Sequence, residues 1–423
     1  MKIKLLLILL VAALSFAARS QIKVINLPQN IKFGHISAID FDNDGDLDLV
    51  VGGEENGSSI QVYLNDGAGN YTLKASPLRS LQRPSFSWAD INQDGIPDLI
   101  TNGFGLPANF TNPIIQGADP YVTQKDGFYY FMVTQGNSIK LWKTKNMSAI
   151  GTAVSKTVYT PTNGAADSQN VWAPEINFFD GKWYIYYTAG DGSDNTQRTW
   201  VLENSNADPM AGTWVAKGRL YTANSDFWAI DGNVMEYGGN RYFLWSGRPN
   251  QLSGDYTQSI YIAKMTNPWT LEGNATRIST PTYGWEKNGF GVNEAPEFLL
   301  NGNKAFVTFS ASFCGTDDYA LGLLSLNENG DPLRVQDWSK NTQPVFVKNP
   351  SANAFGPGHN SFFTSPDGTE NWLIYHANSL TSQGCSSNRN VRMQKFTFNV
   401  NGSPNFGLPV AVGVAVKSPS GEK

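Results

Sequence analysis

The sequence predicts an all-β protein: a five-bladed β-propeller preceded by a small β-rich region of partial repeats. Three observations predict it. One phrase recurs five times in the last three hundred or so residues: an apolar run, a glycine turn, then an aromatic-rich run. The turn glycines are Gly127, Gly181, Gly239, Gly302 and Gly368, followed by FYYFMV, KWYIYYT, NRYFLWS, NKAFVTFS and the stretch around NWLIYHA. Their spacings of 54, 58, 63 and 66 residues leave room for four strands and long loops per unit. Finally, strand-like runs dominate this stretch and no long amphipathic helix pattern interrupts them. Six to nine residues before these glycines stand Asp119, Glu175, Asp231, Glu294 and His359. A repeat that brings an ionisable side chain to the same place in every blade builds a site on the axis.

Residues 1–20, MKIKLLLILLVAALSFAARS, combine lysines, an apolar run from Leu5 and small residues near Ala17 to Ser20. That is the layout of a signal peptide and points to a secreted, extracellular protein, with a retained anchor as the alternative. No later span is long enough to cross a bilayer, so no stable membrane insertion is expected. With 31 Lys plus Arg against 36 Asp plus Glu, nothing favours a nucleic-acid partner. The 12 Trp, 17 Tyr and 24 Phe suit sheet cores and also stacking on sugar rings. Export permits a disulfide between Cys314 and Cys385, which lie beside loops of the last two blades.

Residues 21–105 carry their own repeat. DFDNDGDLD, from Asp40 to Asp48, returns fifty residues later as DINQDGIPD, from Asp90 to Asp98. Alternate carboxylates and amides around a sharp glycine can wrap one calcium with oxygen ligands. The candidate ligands are Asp40, Asp42, Asp44, Asp46 and Asp48, then Asp90, Asn92, Asp94 and Asp98. Each loop feeds an apolar run, DLVVGG or DLITNG, and LNDGAGNY supplies a hairpin turn. This resembles the FG-GAP (VCBS) repeat, which usually builds seven-bladed propellers; only one blade and part of another are visible. An acidic, solvated turn without metal is the alternative for each loop.

A Pro- and Asn-rich stretch from Leu106 to Gly117 marks a boundary, after which residues 106–415 form the propeller and 416–423 a tail. Five short stretches in it are GADP (Gly117–Pro120), WAPE (Trp172–Glu175), AIDG (Ala229–Gly232), VNEAP (Val292–Pro296) and GPGHNS (Gly356–Ser361). In that order they resemble glycoside hydrolase family 43, a five-bladed propeller family acting on polysaccharides that contain arabinose or xylose. The resemblance implies Asp119 as general base, Glu294 as general acid, and Asp231 as the carboxylate that raises and orients the acid. It also implies inversion, for which base and acid stand about 6.5–9.5 Å apart with water between them. Neighbouring negative charge would keep Glu294 protonated.

Each assignment has a structural rival. Asp119 could accept backbone bonds at a strand start, and Asp231 could stabilise a turn. Glu294 competes with Glu297, which strand alternation places on the opposite face. Glu175 lines the pocket or ties blades together, without a proton-transfer role. In the family, the His matching His359 holds an axial ion, usually calcium, or a water; a hydrogen-bonded core histidine is the alternative. With 3 His and no His/Cys cluster, zinc is not expected, and the two-carboxylate chemistry requires no cofactor.

Arg392, in NRNVRMQKFTFNVNGSPNFGLPV, is the candidate for a substrate-hydroxyl contact near Asp119 or Asp231, with a surface or inter-blade salt bridge as the alternative. Trp172, Trp228 and Phe290 are candidate sugar-facing walls, with core packing as the alternative for both tryptophans. NPWTLEGN, SAS and LGLL resemble the arabinofuranosidase branch. The expected activity is therefore release of terminal α-L-arabinofuranosyl units from arabinan, arabino-oligosaccharides or arabinoxylan of plant cell walls. A β-xylosidase or endo-arabinanase is the alternative within the fold, and a non-catalytic carbohydrate-binding propeller the alternative outside enzymes.

Overall fold

The computed structural model describes residues 32–54, 59–74, 82–93, 97–104, 109–250 and 253–422. The signal-peptide reading lies outside the described residues. The chain divides into two compact units, Met1–Leu106 and Pro107–Glu422. Both are built from antiparallel sheets, and the described helices are short 3-10 turns.

In the first unit, β1 (Lys32–Ile39), β2 (Asp48–Glu54), β3 (Ser59–Asn65) and β4 (Tyr71–Lys74) form one meander. A second sheet pairs β5 (Gln82–Ala89) with β6 (Asp98–Phe104). The repeat is physical as well as textual. Asp48 Oδ2 accepts the Phe41 N–H at 2.8 Å, and Asp98 Oδ2 accepts the Ile91 N–H at 3.0 Å. Val50, Ile60, Val62 and Phe86 fill the core between the two sheets.

The second unit opens with β7 (Asn109–Thr111) and β8 (Ile115–Gln116). Five sheets then follow in chain order. The first holds β9 (Tyr121–Lys125), β10 (Phe128–Met132), β11 (Ile139–Thr144) and β12 (Val154–Tyr159). The second holds β13 (Gln169–Phe179), β14 (Lys182–Gly190), β15 (Arg198–Asn204) and β16 (Val215–Arg219). The third holds β17 (Trp228–Tyr237), β18 (Asn240–Arg248), β19 (Ser259–Asn267) and β20 (Thr270–Ser279). The fourth holds β21 (Asn293–Asn301), β22 (Lys304–Ala311), β23 (Ala320–Leu326) and β24 (Trp338–Lys340). The fifth holds β25 (Phe355–Thr364), β26 (Asn371–Asn378), β27 (Asn390–Phe398) and β28 (Pro404–Asn405).

The repeated glycines form the hairpin between the first two strands of each sheet, all with positive φ. Asp126–Gly127, Asp180–Gly181 and Gly238–Gly239 place two consecutive residues there, as the tight hairpin turns matching strand twist require. The aromatic run after each turn becomes a strand packed on both faces. On β10, Tyr129 and Phe131 face a core shared with Trp372 and Ile374, whereas Tyr130 and Met132 face one shared with Trp183 and Ile185.

Five such apolar cores join the sheets first to second, second to third, third to fourth, fourth to fifth, and fifth back to first. The inner strands β9, β13, β17, β21 and β25 touch in the same cyclic order. Chain ends from both sides of this unit meet. Ile115 and Gln116 of β8 pair with Val391 and Asn390 of β27, and the Asn112 amide bonds both backbone groups of Met393.

The segment read as a tail is docked: β29 (Ala415–Lys417) pairs with β7, and Glu422 accepts the Ser148 N–H at 3.2 Å. Cys314 and Cys385 form a disulfide whose Cα atoms lie 5.3 Å apart, joining the loops after β22 and before β27. Among the described residues no helix is long and apolar enough to cross a membrane.

Candidate active site

Each inner strand carries near its start, or in the first sheet follows by two residues, a non-glycine residue with left-handed backbone. These are Asp119 (φ 57°), Ala173 (42°), Asp231 (55°), Ala295 (48°) and His359 (44°). In the last four the pairing slips there. Trp172 and Glu175, three apart, face Thr188 and Tyr186, only two apart; Ile230/Asn233, Glu294/Glu297 and Gly358/Ser361 repeat this offset. One extra residue makes a β-bulge and re-aims the neighbouring side chains.

The amide at the bulge is bonded by a side chain of the preceding sheet. Thr134 Oγ1 accepts the Ala173 N–H at 2.8 Å, and Thr188 Oγ1 that of Asp231 at 3.1 Å. Ser310 Oγ accepts the His359 N–H at 2.8 Å, and His376 Nδ1 returns to the first sheet, accepting that of Asp119 at 3.1 Å. The exception is the fourth sheet. There Asp231 Oδ2 accepts the Ala295 N–H at 3.1 Å, while Ser246 donates instead to the Asn293 carbonyl. Gly232 must follow Asp231 because a Cβ would meet Phe243 Cζ at 2.2 Å.

This backbone device corrects two sequence expectations. The five ionisable groups do not share one register position. Asp119, Asp231 and His359 are the left-handed residues, Glu294 precedes one, and Glu175 lies two beyond another. Nor do Glu294 and Glu297 part to opposite faces, because the bulge between them breaks the alternation. Both carboxyls act on Asp231.

Asp119, Asp231 and Glu294 are 8%, 4% and 9% exposed, so desolvation weighs on all three. Their surroundings then diverge. Around Asp119 Oδ1 lie Arg389 Nη1 at 3.2 Å and His359 Nδ1 at 3.1 Å, and the Thr134 hydroxyl donates to Oδ2 at 2.6 Å. Burial alone would raise this carboxyl, but Arg389 and His359 outweigh it and hold it well below the usual range. Burial disfavours charge on His359, yet Asp119, Asp231 and Glu294 together push its imidazole up to about 9. Burial drives His376 down to about 4. Its Nδ1 already accepts the Asp119 amide, so its 3.3 Å approach to Asp119 Oδ1 is not an ion pair.

Burial raises Glu294, against the hydrogen bond from the Tyr319 hydroxyl to Oε1 at 2.8 Å. Burial also raises Asp231, to about 7, with His359 opposing and Glu294 and Asp119 adding. The Ala295 N–H favours charge on Asp231, as the Tyr319 hydroxyl does on Glu294.

A second carboxyl pair adjoins this constellation. The Asn233 amide donates to Glu175 Oε2 at 2.9 Å and to Glu297 Oε2 at 3.0 Å. Burial pushes Glu175 up to about 8 and, with Glu175 beside it, Glu297 well above the carboxylate range.

Arg392 is not where the sequence reading put it. It is fully buried, and its guanidinium bonds Asn390 Oδ1, the Asn353 and Asn378 carbonyls and Ser379 Oγ. Arg389, three residues earlier and just ahead of β27, reaches Asp119 instead. Trp228 is buried, and the Arg248 guanidinium lies 3.7 Å from its ring centroid, so that face is taken. Arg248 also pairs with Asp194 at 3.1 Å and acts electrostatically on Glu294. Trp172 and Phe290 are half-buried, Phe290 against Phe313 with ring centroids 4.8 Å apart. Tyr319, Arg389, His376 and Arg248 were missed as site residues; none sits in a repeated position before a turn glycine.

In the first unit the structure brings Asp40, Asp42 and Asp48 together, with ligand oxygens within 4.8 Å of one another. Asp44 accepts the Asp46 N–H instead, and Asp46 Oδ1 is buried without a partner. Loss of hydration, then the neighbouring carboxylates, raises Asp42 and Asp46. In the second loop Asp98 caps Ile91, Asp90 and Asn92 are described, and Asp94 lies outside the described residues.

The model of glycosyl hydrolases family 43 matches residues 110–404, and that of the FG-GAP-like repeat matches residues 40–101. The chain belongs to glycosyl hydrolases family 43. It is a glycoside hydrolase with an N-terminal FG-GAP-like repeat. An extracellular exo-alpha-(1→5)-L-arabinofuranosidase of Streptomyces avermitilis is 39% identical over 76% of this chain and 68% of its own. Alpha-L-arabinofuranosidase 43 of Humicola insolens is 35% identical over 72% of this chain, which spans 64% of that relative. Among solved structures, an alpha-L-arabinofuranosidase from Lactobacillus brevis matches with a TM-score of 0.68 and 35% identity, over 72% of this chain and 98% of that one.

The buried acids of this family 43 chain fix a pH dependence of stability. Glu175, Asp231 and Glu297 have folded pKa values raised above their unfolded ones, and so has His359. Between pH 6.5 and 9 the folded state therefore holds more protons, and stability falls by about 1.4 kcal/mol per pH unit for each such proton. Thermal melting should decline across that window, and Glu297→Gln should flatten the decline. A melting temperature that stays level or climbs from pH 6.5 to 9 contradicts the assignment.

Proposed function

We propose that this protein is a secreted, inverting exo-α-L-arabinofuranosidase built on a five-bladed propeller. The cyclic order of the five cores and five inner strands supports the blade count. The extracellular relative and the signal-like first twenty residues support export. Two relatives and a solved structure at 35% identity or more bear the arabinofuranosidase name, which supports the sugar.

The observation that carries the mechanism is the opposite treatment of two carboxyls in one buried constellation. Asp119 is held ionised by Arg389 and His359, whereas Glu294 is pushed towards its neutral form. Such divergence divides base from acid. Asp119 removes a proton from water, whose oxygen attacks the anomeric carbon. Glu294 gives its proton to the glycosidic oxygen as that bond breaks, and Asp231 holds the acid's backbone through Ala295. The products are free arabinose of inverted configuration and the shortened polysaccharide.

Calcium fits the first repeat loop, where Asp40, Asp42 and Asp48 converge and Asp46 Oδ1 lacks a partner. His359, protonated as its acidic neighbours favour, offers its Nε2–H to an axial water, because Nδ1 faces Asp119. An axial ion would be held through that water only with the imidazole neutral, and no catalytic step passes through it.

Glu294→Gln and Asp119→Asn should each lower turnover of arabino-oligosaccharides by about 10²–10⁴-fold. Near-normal rates in either purified variant remove the corresponding role. Aryl α-L-arabinofuranoside should be cleaved far faster than aryl β-xyloside, and the reverse order would move the protein to the xylosidases. Chelation should lower the melting temperature, with calcium restoring it; an unchanged melt counts against a structural ion.

A further inference from the structure

We propose that Tyr319 is a positioning residue for the general acid: it engages Glu294 Oε1 and so leaves Oε2 as the oxygen that carries the proton to the glycosidic bond. This rests on the reading of Glu294 as the acid. Tyr319 precedes β23, in the loop that also carries Cys314, outside every repeated position that pointed to the site.

Three contacts fix its phenol. The ring stacks on His376 with planes 6° apart and centroids 5.8 Å apart. It also fills the space beside Gly358, where a Cβ would meet Tyr319 Cε1 at 2.3 Å. The Ser310 hydroxyl acts on the phenol, lowering the cost of its ionisation, and its Oγ accepts the His359 amide. The phenol's single hydrogen is directed to Glu294 Oε1 at 2.8 Å.

A carboxylic acid has two oxygens and one proton. An oxygen that already accepts a strong hydrogen bond is the poorer place for it, so the Tyr319 bond selects the microstate with the proton on Oε2. His376 and Ser310 are also the residues that bond the Asp119 and His359 amides. The acid's orientation is thus tied to the group that holds the base. Arg248, Asp231 and His359 also act on Glu294, through charge rather than by a hydrogen bond to a chosen oxygen.

The test is leaving-group dependence in Tyr319→Phe, which keeps the ring and its stacking. Hydrolysis of arabinobiose, whose leaving group needs the proton, should fall about 10–100-fold in kcat, while dinitrophenyl arabinofuranoside, which needs none, stays within about threefold. Ser310→Ala should show the same selective loss, smaller in size. A merely structural role would slow both substrates alike, and that result, or an unchanged rate on arabinobiose, overturns the proposal. Glu294→Gln run in parallel separates the two readings. If it shows the leaving-group signature and Tyr319→Phe does not, only the positioning role fails. If Glu294→Gln lacks it, the acid assignment fails as well.

Discussion

The structure depends on one recurring hydrogen bond: a left-handed residue at the start of each inner strand gives its N–H to a side chain of the sheet before it. A non-glycine residue in that conformation costs on the order of 1–2 kcal/mol, and this chain accepts the cost five times. Glycine would relieve the strain at every position. At three of them it would also delete Asp119, Asp231 or His359. The strain persists because Thr134, Thr188, Asp231, Ser310 and His376 each supply an acceptor to an amide that would otherwise be buried and unpaired. The same bonds run from one sheet to the next and back to the first, so site geometry and sheet assembly are one constraint.

The fourth sheet shows how function was fitted into this scaffold. Four acceptors are neutral hydroxyls or an imidazole, and the fifth is a carboxylate. Ser246 occupies the corresponding register place but turns to Asn293 and Gln258. Asp231 takes over its task and thereby ties itself to the residue after Glu294. A group proposed to work beside Glu294 is held by a bond the fold needs anyway, which leaves little freedom for the Glu294 backbone to drift.

The architecture was legible because hairpin glycines and two-faced aromatic strands leave a local signature. FYYFMV reads as an aromatic-rich run after a turn glycine, and in the structure Tyr129 and Tyr130 enter different cores. Asp119, Asp231 and Glu294 were legible through short motifs, and the structure brings them within electrostatic reach of one another. What stayed hidden depends on one-residue geometry. Alternation placed Glu294 and Glu297 on opposite faces because a bulge cannot be read from residue types. Arg389 and Arg392 share one stretch, and only the start of β27 at Asn390 decides that the first reaches Asp119 while the second is locked inside. Tyr319 carries no periodic mark at all; its place is set by Gly358 and His376, more than thirty residues away.

Burying this many ionisable groups is tolerable only if their charges nearly cancel, since an unpaired buried ion costs several kcal/mol. Asp119 carries one negative charge, Arg389 and His359 one positive each, and the Asp231–Glu294 pair one negative while it keeps its proton. Glu175 and Glu297, raised by burial, hold theirs. The sum is close to zero, while burial, more than any neighbouring charge, raises Glu294 towards the neutral form that an exposed glutamate would not favour. The proposed reaction preserves the balance: as Glu294 releases one proton to the leaving oxygen, Asp119 gains one from water. Charge moves from base to acid across the sugar without changing the total, so the buried site need not admit a counter-ion during the step.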